Sequence, residues 1–137
     1  MKKLIFLFAF LSIGLASFAQ KGAAVRLPIL AGDTIVNTGT TSKVFKFTGG
    51  YSGTVIQIDV ALVSGTGAGT LTLSGSQDGV IYKTIGSAYT ITNTASQAAQ
   101  FTVTAPLPTF IKVAGAGSGT EVAALTYWYN TPIYQNQ

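Results

Sequence analysis

Along most of the chain, apolar and polar residues alternate one for one, the period of a β-strand with one buried and one wet face. The longest such run is Thr54 to Val63, where Ile56, Ile58, Val60 and Leu62 share a face and Gln57, Asp59 and Ala61 take the other. This run predicts the central strand of the core. Leu71 and Leu73 alternate with Thr70 and Thr72, and Phe101 and Val103 with Gln100, Thr102 and Thr104. In 43–47, Lys43, Phe45 and Phe47 fall on one side and Val44 and Lys46 on the other, with both lysines read as solvated. Further strands are predicted at 23–30, bent by Pro28, and at 33–36, 89–92, 110–113 and 122–129. No stretch keeps a helical period.

The punctuation is mostly glycine. The stretch Gly65–Gly86 reads as a glycine-rich turn, a strand, a second turn at Ser74–Gly79 and then a strand resuming at Val80-Ile81-Tyr82, because Asp-Gly is a strong turn pair. Two linked hairpins are expected there. A second loop of the same form, Gly115 to Thr120, joins 110–113 to 122–129 as a closing hairpin, and both loops read GxGxGT. Neither has the spacing of a phosphate loop, and no helix follows to hold a phosphate. Turns are also expected at Asn37–Thr40, Gly49–Gly53 and Asn93–Ser96, while Pro106 and Pro108 keep their connection out of a sheet interior. About eight or nine short strands with turns between them predict an all-β antiparallel β-sandwich, jelly-roll or immunoglobulin-like.

The start of the chain breaks the alternation. Met1-Lys2-Lys3 precedes an apolar run from Leu4 to Leu15, and Ala16-Ser17-Phe18-Ala19 ends it with small residues, the pattern of a secretory signal peptide over 1–19. The run is short for a bilayer, which needs about 20 apolar residues, so cleavage is expected to leave a single domain over 20–137 with no membrane span. The chain has no cysteine. An exported fold of this kind therefore rests on its hydrophobic core without cross-links. Without Lys2 and Lys3 the formal charge drops from +4 to +2, and the remaining basic residues are scattered, which excludes the dense basic stripe that nucleic acid requires.

Candidate chemistry is sparse. Histidine and cysteine are both absent, removing the common general base, the thiolate nucleophile and the usual transition-metal ligands. The acidic residues Asp33, Asp59, Asp78 and Glu121 are far apart in sequence and form no carboxylate pair or calcium-loop ladder. Asp78 reads as a turn former and Asp59 as the outward side of a strand. The sequence thus predicts no catalytic residues, no cofactor, no metal ligands and no enzyme activity. Recognition character is confined to Tyr127, Trp128, Tyr129 and Tyr134. Alternation puts Tyr127 and Tyr129 on one face and Trp128 on the other. Either Trp128 fills the core and the tyrosines line a sheet edge or a subunit contact, or the exposed face stacks on sugars or anchors an interface.

The segment from Gly65 to Tyr82, with its GT-rich loop and the pattern L-x-x-S-x-D-G at Leu73, Ser76, Asp78 and Gly79, resembles small phage virion proteins and related bacterial surface β-sandwiches. The resemblance spans about Thr54 to Tyr129 and carries over no catalytic or binding residue. It implies a structural role, and the signal segment departs from virion proteins in favour of an extracellular, cell-surface or periplasmic location. The expected function is a secreted, non-enzymatic structural or interaction module. It would associate with itself as a homo-oligomer or with another surface protein. The alternative is a carbohydrate-binding module that holds a glycan on the C-terminal aromatics.

Overall fold

The computed structural model describes residues 25–26, 33–47, 53–104 and 106–130. The signal segment, Pro28, most of the Gly49–Gly53 turn and Tyr134 lie outside the described residues. Nine strands are present among them: β1 Val25–Arg26, β2 Thr34–Val36, β3 Thr40–Lys46, β4 Gly53–Ser64, β5 Gly69–Ser76, β6 Lys83–Ile91, β7 Ser96–Thr104, β8 Phe110–Gly117 and β9 Val122–Asn130.

The strands form two antiparallel sheets. One runs β1-β9-β4-β7, with β2 also pairing with β9, and the other runs β3-β8-β5-β6. Antiparallel pairs join β2 to β9, β3 to β8, β4 to β7 and β5 to β6. The chain therefore doubles back on itself about the β5–β6 turn, and the long double strand so formed rolls across both sheets. Between the two predicted sandwich types, this is the jelly roll. The Gly65–Gly86 stretch lies at its fold-back point.

The alternation in the sequence becomes the alternation of faces. Ile56, Ile58 and Val60 of β4 are at most 1% exposed, and they meet Leu71, Leu73, Ile111, Val113, Leu125 and Tyr127 between the sheets. With no disulfide among the described residues, this apolar layer carries the stability, each large side chain in it contributing about 1.5–3 kcal/mol.

Three expectations are corrected. The segments around the two GxGxGT loops do not pair as hairpins: β4 and β5 belong to different sheets, as do β8 and β9. Both loops are arches that carry the chain from one sheet to the other. They lie backbone to backbone, with Ser118 N donating to Ala68 O at 3.0 Å and Thr120 N to Thr66 O at 3.3 Å. A flexible turn fits an arch as readily as a hairpin, so local sequence does not separate them.

Secondly, Val80-Ile81-Tyr82 is not strand; β6 begins at Lys83. The Asp78 carboxylate accepts from the amides of Val80 and Ile81 at 2.8 and 3.0 Å, and from the Ser76 hydroxyl at 2.7 Å. Amides held by a side chain cannot join a ladder, and Val80 and Ile81 stand 80% and 69% exposed.

Thirdly, Lys43 is not solvated. It lies on the inward parity of β3 with Phe45 and Phe47, and its ammonium pairs with buried Asp33 at 2.9 Å. The neighbouring Tyr127 ring lies 5.7 Å from the same nitrogen.

Candidate functional site

Register places a row of polar and aromatic residues across the outer face of the larger sheet. Gln57 on β4 stands opposite Gln100 on β7 and opposite Trp128 on β9. With adjacent strands about 4.8 Å apart, the row Gln100–Gln57–Trp128 spans about 10 Å. Asp59 is the next outward residue along β4, diagonal to Trp128.

Hydrogen bonds fix this group. Trp128 Nε1 donates to Asp59 Oδ2 at 2.8 Å, and Gln57 Nε2 donates to Asp59 Oδ1 at 2.7 Å. Each carboxylate oxygen thus holds one member of the row. The indole is half-buried and Gln100 is exposed. Beside them Val55, Gln57, Gln100, Trp128, Tyr129 and Asn130 line a shallow open depression of about 310 Å³. Asn130 Oδ1 in its wall is buried with no hydrogen-bond partner, while the main-chain oxygen of Asn130 accepts from Thr54 Oγ1 at 2.7 Å.

The four aromatic candidates separate. The packing expectation is reversed: Trp128 is on the outer face, in the row just described, because the inward parity of β9 is that of Ala123 and Leu125, which Tyr127 shares. Tyr127 is 1% exposed in the core, so it cannot touch a ligand or another subunit. Its hydroxyl has no hydrogen-bond partner, and burial, with the nearby charge of Asp33 adding to it, pushes its ionisation well above the usual tyrosine range. Tyr129 packs edge-on against Phe45 and Phe47 at 6.0 and 5.7 Å on the rim of the core, and also borders the depression. Tyr134 lies outside the described residues.

Sequence reasoning missed Gln57 and Gln100 as site residues and read Asp59 only as an outward strand residue. Parity was the available signal: Gln57, Asp59, Gln100 and Trp128 all fall on the outward register. The cross-strand pairing that unites them was not visible. Among the described residues no three His, Cys, Asp or Glu side chains come together as metal ligands, and no helix is long and apolar enough to cross a membrane.

Neither a protein-family model nor a curated protein matches the chain. Among solved structures, a carbohydrate-binding module described as "CBM4 structure and function" is similar with 14% identity over 86% of this chain and 83% of that one, at a TM-score of 0.44.

Proposed function

We propose that this protein is a non-enzymatic exported binding module that takes a neutral carbohydrate chain along the outer face of β4, β7 and β9. The observation that carries the reading is the Trp128–Asp59–Gln57 linkage, which fixes an indole beside amide side chains on an open sheet face. An aromatic surface bordered by amide and carboxylate groups is what a sugar needs: apolar C–H faces stack on the ring while hydroxyls reach fixed donors and acceptors. The depression is open, so it suits a stretch within a chain better than a buried chain end. A panel of immobilised polysaccharides tests it. Binding by the wild type that Trp128→Ala and Gln100→Ala both weaken at least tenfold, with both variants folded by circular dichroism, is the expected result; no binding to any neutral polysaccharide counts against the proposal.

A second reading, self-association in a surface assembly, draws on the other sheet. There Thr40, Ser42, Thr70, Thr72, Ala114 and Ala116 line a shallow surface of small side chains, and Val44 on edge strand β3 is 48% exposed. Flat small-residue faces suit repeated lateral contacts. Light scattering over a range of concentrations tests it, with a stable multimer expected and a monomer throughout speaking against it.

A further inference from the structure

Glu121 lies at the end of the sandwich where the two glycine-rich arches meet. Its side chain is 0% exposed, and neither carboxylate oxygen has a hydrogen-bond partner. A buried charge is normally paired, hydrogen-bonded or bound to a metal. Among the described residues no basic side chain is paired with Glu121.

Main-chain oxygens approach the carboxylate on both sides. Where Gly117 lacks a Cβ, that space is touched by Asn37 O and lies 2.6 Å from Glu121 Oε1. Where Gly119 lacks one, the space is touched by both Thr66 O and Glu121 Oε2. Each carboxylate oxygen therefore lies close to one backbone carbonyl, with only a glycine's missing Cβ making the approach possible. The chain holds these groups firmly: Asn37 N donates to Glu121 O at 2.7 Å, and Thr66 is tied to Thr120 through two hydrogen bonds of 3.3 Å. No donor reaches either carboxylate oxygen, and the carbonyl oxygens beside them repel a charged carboxylate unless something positive lies among them.

We propose that Glu121, with the main-chain carbonyls of Asn37 and Thr66, forms a binding site for a hard cation of the calcium class that ties the two arches together. Hard cations take carboxylate and carbonyl oxygens, and Ca²⁺ accepts irregular geometry where Mg²⁺ demands a near-octahedral shell and retains its waters. With one carboxylate the site is weak, dissociating at roughly 10⁻⁴–10⁻³ M as in extracellular modules. It gives the glycines of the second arch a purpose: a Cβ at Gly117 or Gly119 would collide with the very oxygens that would hold the cation. The site is separate from the Trp128 face and stands without the carbohydrate reading.

The test is thermal unfolding of the full-length protein, purified from an exporting host, in EDTA and then in up to 10 mM CaCl₂, with MgCl₂ and NaCl controls at matched ionic strength. Calcium at about ten times its dissociation constant shifts the folding equilibrium about elevenfold and raises the melting temperature by roughly 5 °C, with magnesium giving less. Glu121→Gln abolishes the calcium response while remaining folded by circular dichroism. If that variant does not fold, calcium titration of the wild type followed by amide NMR decides, with shifts expected at Asn37, Thr66 and residues 117–121. A wild-type melting temperature indifferent to calcium, a Glu121→Gln response equal to that of the wild type, or shifts elsewhere in the protein would overturn the proposal.

Discussion

Trp128 Nε1 donates to Asp59 Oδ2 at 2.8 Å from the neighbouring strand, one step diagonal from its ladder partner Gln57. The aspartate acts as the clasp of the outer face, because its other oxygen holds Gln57. Removing the clasp should free the indole before it unfolds the sheet. Asp59→Ala is expected to cost about 1 kcal/mol, less than a fully buried charged hydrogen bond contributes because the group is partly solvated. Trp128 is the only tryptophan, so fluorescence reports on it alone. Its emission should shift to the red and any polysaccharide affinity should fall, with Asp59→Asn intermediate. Unchanged emission in Asp59→Ala would show that packing, and not the carboxylate, positions the ring.

Tyr127 presents the opposite case, a buried hydroxyl with no hydrogen-bond partner. Leaving such a group unsatisfied costs about 1–3 kcal/mol, so Tyr127→Phe is expected to be neutral or stabilising by up to about 1 kcal/mol in urea unfolding. The ionisation of Tyr127 is raised in the folded state by burial first and by Asp33 second. A raised value means that the folded protein keeps its proton while the unfolded chain releases it. The contribution to stability is complete below about pH 10, the ordinary tyrosine value, and is lost as pH rises beyond it. Wild type should therefore lose stability above pH 10 more steeply than Tyr127→Phe, by up to about 1.4 kcal/mol per pH unit. Parallel alkaline limbs would contradict the assignment.

Much of the fold was readable from period alone, and the failures have physical causes. β4 and β9 were visible because their inward positions carry Ile56, Ile58, Val60 and Leu125 without interruption. Parity put Tyr127 and Trp128 on opposite faces, but which face turns inward was settled only by the packing, where Tyr127 joins Leu125 in the core and Trp128 lies outside with Thr126. Sheet membership was not readable, because a glycine-rich loop serves hairpin and arch equally. Nor was the burial of Glu121. A lone acidic residue after a glycine loop looks solvated, and only the meeting of two arches distant in sequence encloses it. Lys43 was misplaced for a related reason, since its partner Asp33 lies on the connection before β2 and pairing with it was not written in the strand's own pattern.

The Asp78 turn yields an acid-side prediction. Hydrogen bonds from the Ser76 hydroxyl, then from the amides of Val80 and Ile81, hold the Asp78 carboxyl down at about 2. A depressed value means that the stabilisation is present above the unfolded value near 4 and is lost as pH falls through about 2. The stability difference between wild type and Asp78→Ala should be constant from pH 7 to about 4 and shrink towards pH 2. At neutral pH the variant should exchange the Val80 and Ile81 amides at least tenfold faster, with little change in the core strands. A difference that persists undiminished at pH 2 would mean that the carboxylate's charge is not what holds the turn.

Two glycines with the same backbone sign separate conformational strain from crowding. Gly65 has φ +78° and Gly86 φ +68°, both in the left-handed region. Gly86 lies where the β5–β6 register shifts between Leu71 and Leu73, and a Cβ added there meets nothing within 4 Å. Gly86→Ala should therefore cost only the left-handed penalty, about 1–2 kcal/mol. At Gly65 a Cβ would strike the Thr120 carbonyl oxygen and come within 3.1 Å of Glu121 Cα, all backbone of the second arch. That arch cannot retreat, because Thr120 N and Ser118 N are bonded back to the first. Overpacking of about 1–3 kcal/mol then adds to the strain, and Gly65→Ala should lose about 3 kcal/mol or more. Urea unfolding of the two variants side by side checks the difference. Equal losses would show that the arches slide past one another freely, and that their backbone contacts do not lock the end of the sandwich.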